Sequence, residues 1–356
     1  MKETMTPLER TRAVIEGRIP DRVPVCLLSF QNAAHFAGYS VSEYCLDGEK
    51  MAKAQIIYWE AFRHDMIEIE NGVAALAEAV GCEVAYPEEE PPWVMRPALS
   101  SLDEIDRLPD DLTDAPGVRE LLKATRLVAE KLGEFVCIRG DSDQGAFSLA
   151  AQIVGAENFL IATAEPQQEE KIHRLLTYAN EQVKRLARAQ LAAGSHYTVI
   201  GDSIAGPDVC SPHTYRKFAL PYEKALIEQM RREGIEVGIH ICGDTTKIIS
   251  DMLETTALYF ELDYKSDREV IRRATKGRAT IIGTVDPSNL IPRGTPEEVA
   301  AKAREDIRIM GPGGRFILGA GCTLPRETPP ENVRALVEAA REVGWYSPDG
   351  QLIVQG

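Results

Sequence analysis

The sequence predicts a (β/α)8 TIM barrel, an α/β fold of one domain spanning 1–356 with an insertion around 81–117. Three observations predict it. Eight short apolar runs recur along the chain, and helical stretches separate them. The runs are continuous rather than alternating in polarity, as strands buried on both faces are. No Gly/Ser- or Pro-rich linker divides the chain. Strands alternating with helices imply a parallel sheet, and eight such units imply a closed barrel whose active site lies where the strands end.

Taken in order, Met5–Gly17 opens as a helix that Thr6-Pro7 starts and Gly17 stops. Val25–Phe30 is the first strand, followed by a loop or short helix rich in aromatics and amides. A helix over Glu49–Arg63 leads to a second strand over Asp65–Glu70. Gly81–Ser100 breaks the rhythm: Pro87, three glutamates and Pro91-Pro92-Trp93 suggest a hairpin or lid. After a helix over Val118–Leu132 the alternation is regular. Strands are expected at Phe135–Arg139, His196–Ile200, Val237–Cys242, Leu258–Asp263, Thr280–Val285 and Phe316–Gly321. Helices are expected at Phe147–Ala164, Gln167–Ala193, from Ser211 to near Gly234, Thr246–Thr255, Arg268–Thr275, Pro296–Met310 and Pro330–Val343.

Composition narrows the function. A net charge of −15 and a pI near 5.0 argue against a nucleic-acid stripe and against attraction to anionic lipid. No apolar run approaches the roughly 20 residues of a membrane span, and no signal-peptide pattern opens the chain. The seven cysteines are odd in number and scattered, which suits a reducing cytoplasm rather than a disulfide framework.

The stretch V-G-I-H-I-C-G-D, Val237–Asp244, carries the chemistry. His240 and Cys242 are two residues apart, so on a strand they face the same side. Cys322 ends a later apolar strand in G-A-G-C-T. One imidazole and two thiolates are three zinc ligands, leaving the fourth position open for chemistry. Glu261 interrupts an apolar strand. A buried carboxylate needs a partner, either Lys265 or an arginine, or the zinc itself as an exchangeable fourth ligand. Asp141 and Asp202 follow strand-end glycines and suit either a pocket or helix caps. Asp286 and Asp244 read as turn and cap residues.

The opening T-P-L-E-R…P-D-R-V-P-V, the H-I-C-G motif and the late G-C together resemble the uroporphyrinogen decarboxylase superfamily over nearly the whole chain. They are most similar to its corrinoid-linked zinc methyltransferase branch, which includes O-demethylase methyltransferases and methylcobamide:coenzyme M methyltransferases. The resemblance implies that His240, Cys242 and Cys322 are the zinc ligands and the centre of catalysis. It also implies a corrinoid carried by a separate partner protein, since the chain has no D-x-H-x-x-G cobalt-ligand motif. The decarboxylases have an arginine-rich stretch after the first strand, whereas Leu27–Tyr39 contains no arginine.

The same stretch offers Phe30, Gln31, Asn32, His35, Phe36 and Tyr39 as substrate-binding candidates, with Asp141 and Asp202. Aromatics with neutral amides suit a flat ring bearing a few oxygens. The expected reaction therefore moves a methyl group from a methoxylated aromatic donor to the Co(I) of the partner's corrinoid. The alternatives are transfer to a coenzyme M-type thiol, uroporphyrinogen decarboxylation, and a barrel that only binds a tetrapyrrole. Glu88–Trp93 is expected to serve as a lid or a docking element for the corrinoid protein, or as a plain surface hairpin.

Overall fold

The computed structural model describes residues 1–353 and bears out the closed barrel. Its strands, in order, are Val25–Cys26, Met66–Ile69, Cys137–Gln144, Tyr197–Gly201, Val237–Ile241, Tyr259–Leu262, Thr280–Val285 and Phe316–Ala320. Each lies parallel to its neighbour in sequence, and the eighth closes on the first with Val25 opposite Leu318.

Local sequence signals set the helices around this barrel. Thr6 and Glu9 form a capping box on Pro7–Ile15, and Thr295 and Glu298 do the same for Pro296–Met310. Proline stands in the first turn of both, where its missing N–H costs nothing. The expected helix over 147–164 is two helices, Ala146–Val154 and Ala156–Thr163, because Gly155 at φ 86° breaks the run. Among the described residues no single helix is long and apolar enough to cross a membrane.

Two further segments differ from expectation. The first strand has two residues rather than six, since Leu28 takes φ 47° and a helix over Phe30–Phe36 starts at once. The expected helix over 246–255 is only one turn at Ile249–Met252, continued as a 3-10 turn. The insertion does hold a hairpin, with Glu83–Ala85 antiparallel to Trp93–Arg96.

Alternate residues on each strand face the barrel interior. The lowest inward layer packs Cys26, Met66, Cys137, Tyr197, Tyr259, Ile282 and Ile317. Gly238 belongs to this layer because a Cβ there would come within 2.0 Å of the Tyr259 ring. The floor is therefore solid, and any cavity must lie above it.

Candidate metal centre and its cavity

One step up each strand, the alternation turns Glu68, Arg139, Val199, His240 and Glu261 inward. Register sets Glu68 beside Arg139 and His240 beside Glu261 on adjacent strands. The fully buried Arg139 guanidinium donates to both Glu68 and Glu261. Each of these charges would be costly to bury alone.

The next step brings Cys242 to the end of the fifth strand, where Gly243 at φ 86° turns the chain aside. Cys322 arrives from just beyond the eighth strand. His240 Nε2 lies 3.0 Å from Cys242 Sγ and 3.8 Å from Cys322 Sγ, and the sulfurs are 3.7 Å apart. Zinc–sulfur bonds of about 2.3 Å and zinc–nitrogen bonds of about 2.0–2.1 Å set tetrahedral edges of about 3.8 Å between sulfurs and about 3.6 Å between sulfur and nitrogen. The two separations from Cys322 match these edges, that between His240 and Cys242 is shorter, and the donors have the softness zinc takes. His240 Nδ1 lies 3.2 Å from the Glu261 carbonyl oxygen and donates to it, which leaves Nε2 facing the sulfurs, where a metal would displace its proton.

Charge follows the same geometry. A hydrogen bond from the Cys322 thiol, against burial and with help from the His240 ring, holds Cys242 down at about 3. Burial opposes a charged His240, but the Cys242 thiolate outweighs it and pushes the ring up to about 10. Cys322, which gives its proton toward Cys242, is raised well above the usual thiol range. Cys242 is thus already a thiolate, the form that ligates metal.

Glu261 has its arginine partner. One carboxylate oxygen is held by Arg139 and the other lies 3.8 Å from His240 Nδ1. Lys265 pairs with Asp208 instead. Glu261 does not join the group of mutually close donor atoms formed by His240, Cys242 and Cys322.

His240, Cys242 and Cys322 open into a cavity of about 230 Å³ at the carboxyl ends of the strands. Leu28, Phe30, Val73, Pro91 and Val199 supply its apolar wall, and Glu68, Glu70, Asp141, Gln144 and Glu261 its polar one. Of the pocket candidates, Phe30 and Asp141 line this cavity. Gln31, Asn32, His35, Phe36, Tyr39 and Asp202 do not. The helix over Phe30–Phe36 turns the first four of these elsewhere. Asn32 donates to the Arg326 and Thr328 carbonyls, and Phe36 packs on Tyr58 and Phe62. Tyr39 meets Lys50 and His35 is exposed. Asp202 is buried and accepts from the Ser148 amide, a cap on a neighbouring helix.

Glu68, Arg139 and Gln144 were not foreseen as site residues. Glu68 and Arg139 carried the same signal as Glu261, a charge interrupting an apolar strand in M-I-E-I and C-I-R-G. Gln144 carried none.

Residues 6–343 match the family model described as Uroporphyrinogen decarboxylase (URO-D). The chain belongs to this family. Among its relatives is the methylcobamide:CoM methyltransferase MtbA of Methanosarcina mazei, 28% identical over 94% of this chain and 98% of that one. A methylated-thiol–coenzyme M methyltransferase of the same organism is 27% identical over 96% of this chain and 91% of its own length. The uroporphyrinogen decarboxylase of Chlorobium phaeobacteroides is 27% identical over 84% of this chain and 85% of that one. A solved methyltransferase from Methanosarcina mazei superposes with a TM-score of 0.87 at 25% identity, covering 95% of this chain and 99% of that chain. These relatives bear out the expected family, its methyltransferase branch and the enzyme class.

Proposed function

We propose that this family member moves a methyl group between a small molecule in the cavity and the cobalt of a corrinoid carried by a partner protein. A zinc ion held by His240, Cys242 and Cys322 is its resident metal. The observation that carries the proposal is three metal-binding donors, one imidazole and two sulfurs, gathered within 4.8 Å of one another at the wall of the cavity. When bound, zinc supplies Lewis acidity that draws electron density from an oxygen or sulfur placed beside it. The chain's own residues do the rest. Cys242 and Cys322 give two thiolates, Glu261 orients His240 through its carbonyl oxygen, and Arg139 keeps the Glu261 carboxylate in place. Leu28, Phe30, Val73 and Val199 keep water from the transferred methyl group.

The small molecule is a methoxylated aromatic donor, its methyl passing to Co(I) and leaving a phenol. No lysine or arginine lines the cavity among the described residues. The sulfonate of a coenzyme M-type thiol would enter without a partner among carboxyl groups, a costly desolvation. The volume is of the order of one substituted ring and small for a tetrapyrrole with many carboxylates, which weighs against decarboxylation. The second reading, transfer from a methylated corrinoid to a thiol, draws support from the names of the relatives. Methyl transfer to a Co(I) corrinoid protein, followed by its absorbance across aryl methyl ethers, decides between them. Activity with aryl ethers is expected. Transfer only from methylcobalamin to coenzyme M would reject the aromatic donor.

A further inference from the structure

Two cysteines meet across the mouth of the barrel. Cys242 stands just beyond the fifth strand and Cys322 just beyond the eighth, and their sulfurs are 3.7 Å apart. Both are partly exposed and both line the cavity, so a small molecule that enters it reaches them. The remaining cysteines are placed differently. Cys26, Cys45, Cys82 and Cys137 are buried. Cys210 is partly exposed, but its thiol donates to the Ala205 carbonyl at 3.0 Å.

We infer that Cys242 and Cys322 are a reversible redox pair: a small peroxide joins their sulfurs in a disulfide, and the chain then gives up its metal. The inference rests on the reading above that these residues hold zinc.

Hydrogen peroxide is the co-reactant. One sulfur attacks a peroxide oxygen, the O–O bond breaks, and the departing oxygen takes up a proton and leaves as water. The second sulfur attacks the first. The S–S bond forms, the new S–O bond breaks, and the hydroxide takes up a proton and leaves as a second water. The sulfurs together lose two electrons and the peroxide gains them. The two protons come from the thiols, or from solvent when the sulfurs start as metal-bound thiolates.

Geometry favours this outcome over deeper oxidation. A disulfide holds its sulfurs about 2.05 Å apart, so the pair must close by about 1.6 Å. Sulfurs already in contact close such a gap by rotation about their Cα–Cβ bonds. Cys242 also lies outside the strand ladder, with the turn at Gly243 directly after it. An oxidised cysteine beside a second one is resolved to a disulfide before it goes on to sulfinic acid. The wall of the cavity selects the oxidant. Hydrogen peroxide is small and neutral, whereas glutathione disulfide is bulky and anionic and would face the carboxyl groups of Glu68, Glu70 and Asp141. Metal and disulfide then compete for the same sulfurs. Ligation needs thiolates, and the oxidised chain keeps only His240 of its three donors.

The test treats the full chain, zinc-loaded or stripped by a chelator, with hydrogen peroxide. Intact mass, peptide mapping after alkylation and a colorimetric zinc indicator read the result. Both forms are expected to lose two of their seven thiols and to yield one cross-linked peptide pair, Cys242 with Cys322. Before alkylation the product should be lighter by about 2 Da, the mass of two hydrogens. The loaded form should react more slowly and release its zinc as the cross-link forms. Dithiothreitol should restore the thiols and zinc binding, and glutathione disulfide should leave the pair reduced. Cys210→Ser should cross-link as the wild type does, while Cys322→Ser should gain oxygen instead. Oxygen added to the wild type without a cross-link, a cross-link between other cysteines, or zinc retained by the cross-linked chain overturns the inference. A chain that takes up no zinc yet forms the cross-link overturns the resident-metal reading and leaves the redox pair standing.

Discussion

Arg139 reaches Glu261 from three strands away, and the same guanidinium holds Glu68 on the adjacent strand. This buried bridge ties the floor of the cavity to the residue that orients His240. Breaking one side of a buried ion pair leaves the other charge uncompensated and costs about 3–5 kcal/mol. Arg139→Met is therefore expected to lower unfolding free energy by about that amount. The double variant Arg139→Met/Glu261→Gln should lose less than the two single changes added together. Urea unfolding of the four proteins measures this, and strict additivity would show that the two residues do not depend on each other.

A second buried network closes the opposite face of the barrel. Asp65 accepts from Arg10 at 2.6 Å, from Arg22 at 2.8 Å and from the Val25 amide at 2.8 Å. It joins the opening helix to the first two strands, at the end of a barrel that serves stability rather than chemistry. Burial works to raise Asp65, but Arg22 and Arg10 outweigh it and hold it below 3.8. A depressed carboxyl contributes stability that is present above the ordinary value and lost as pH falls through the folded one. Asp65→Asn should cost about 3–5 kcal/mol at neutral pH with no change in zinc content, as read by thermal unfolding and metal analysis.

Glu223 predicts a pH dependence of opposite sign. Burial, and then the nearby Asp202 charge, push it up to about 8 from 4.5, against a hydrogen bond from Tyr215. The folded chain thus binds a proton that the unfolded chain has lost between those values, so stability falls as pH rises through that window. Glu223→Gln keeps an acceptor for Tyr215 and removes the titration. The melting temperature of this variant should fall less steeply from pH 4.5 to 8 than that of the wild type. Parallel curves would show that Glu223 does not titrate in this window.

The hairpin over 83–96 ends beside the cavity mouth. Pro91 lines the cavity, while Trp93 is 52% and Met95 49% exposed. Replacing 87–90 by glycine and serine should leave unfolding unchanged but slow transfer to the corrinoid protein by about tenfold, equivalent to about 1.4 kcal/mol of lost docking energy. An unchanged rate would reduce the hairpin to a surface feature.

Much of this site was legible in the sequence because it follows strand periodicity. His240, Cys242 and Glu261 sit on inward-facing positions that an alternation rule locates, and Cys322 follows the last apolar run. The aromatic stretch after the first strand was misleading for a local reason. Leu28 turns the backbone at φ 47°, the helix starts at Phe30, and helical spacing carries Asn32 and Phe36 away from the cavity. Arg139 and Glu68 were visible as charges inside apolar strands, but which charge meets which depends on contacts across the barrel that no local pattern encodes. The split at Gly155 was likewise a single-residue event inside a continuous apolar run.

The central claim is that methyl transfer depends on zinc held by His240, Cys242 and Cys322. The most direct measurement is the rate of corrinoid methylation against zinc bound per chain, titrated back into chelator-stripped protein. The rate is expected to rise in proportion to zinc and to level off at about one ion per chain, with Cys322→Ala neither retaining zinc nor recovering activity. Full turnover by folded, metal-free protein would contradict the account.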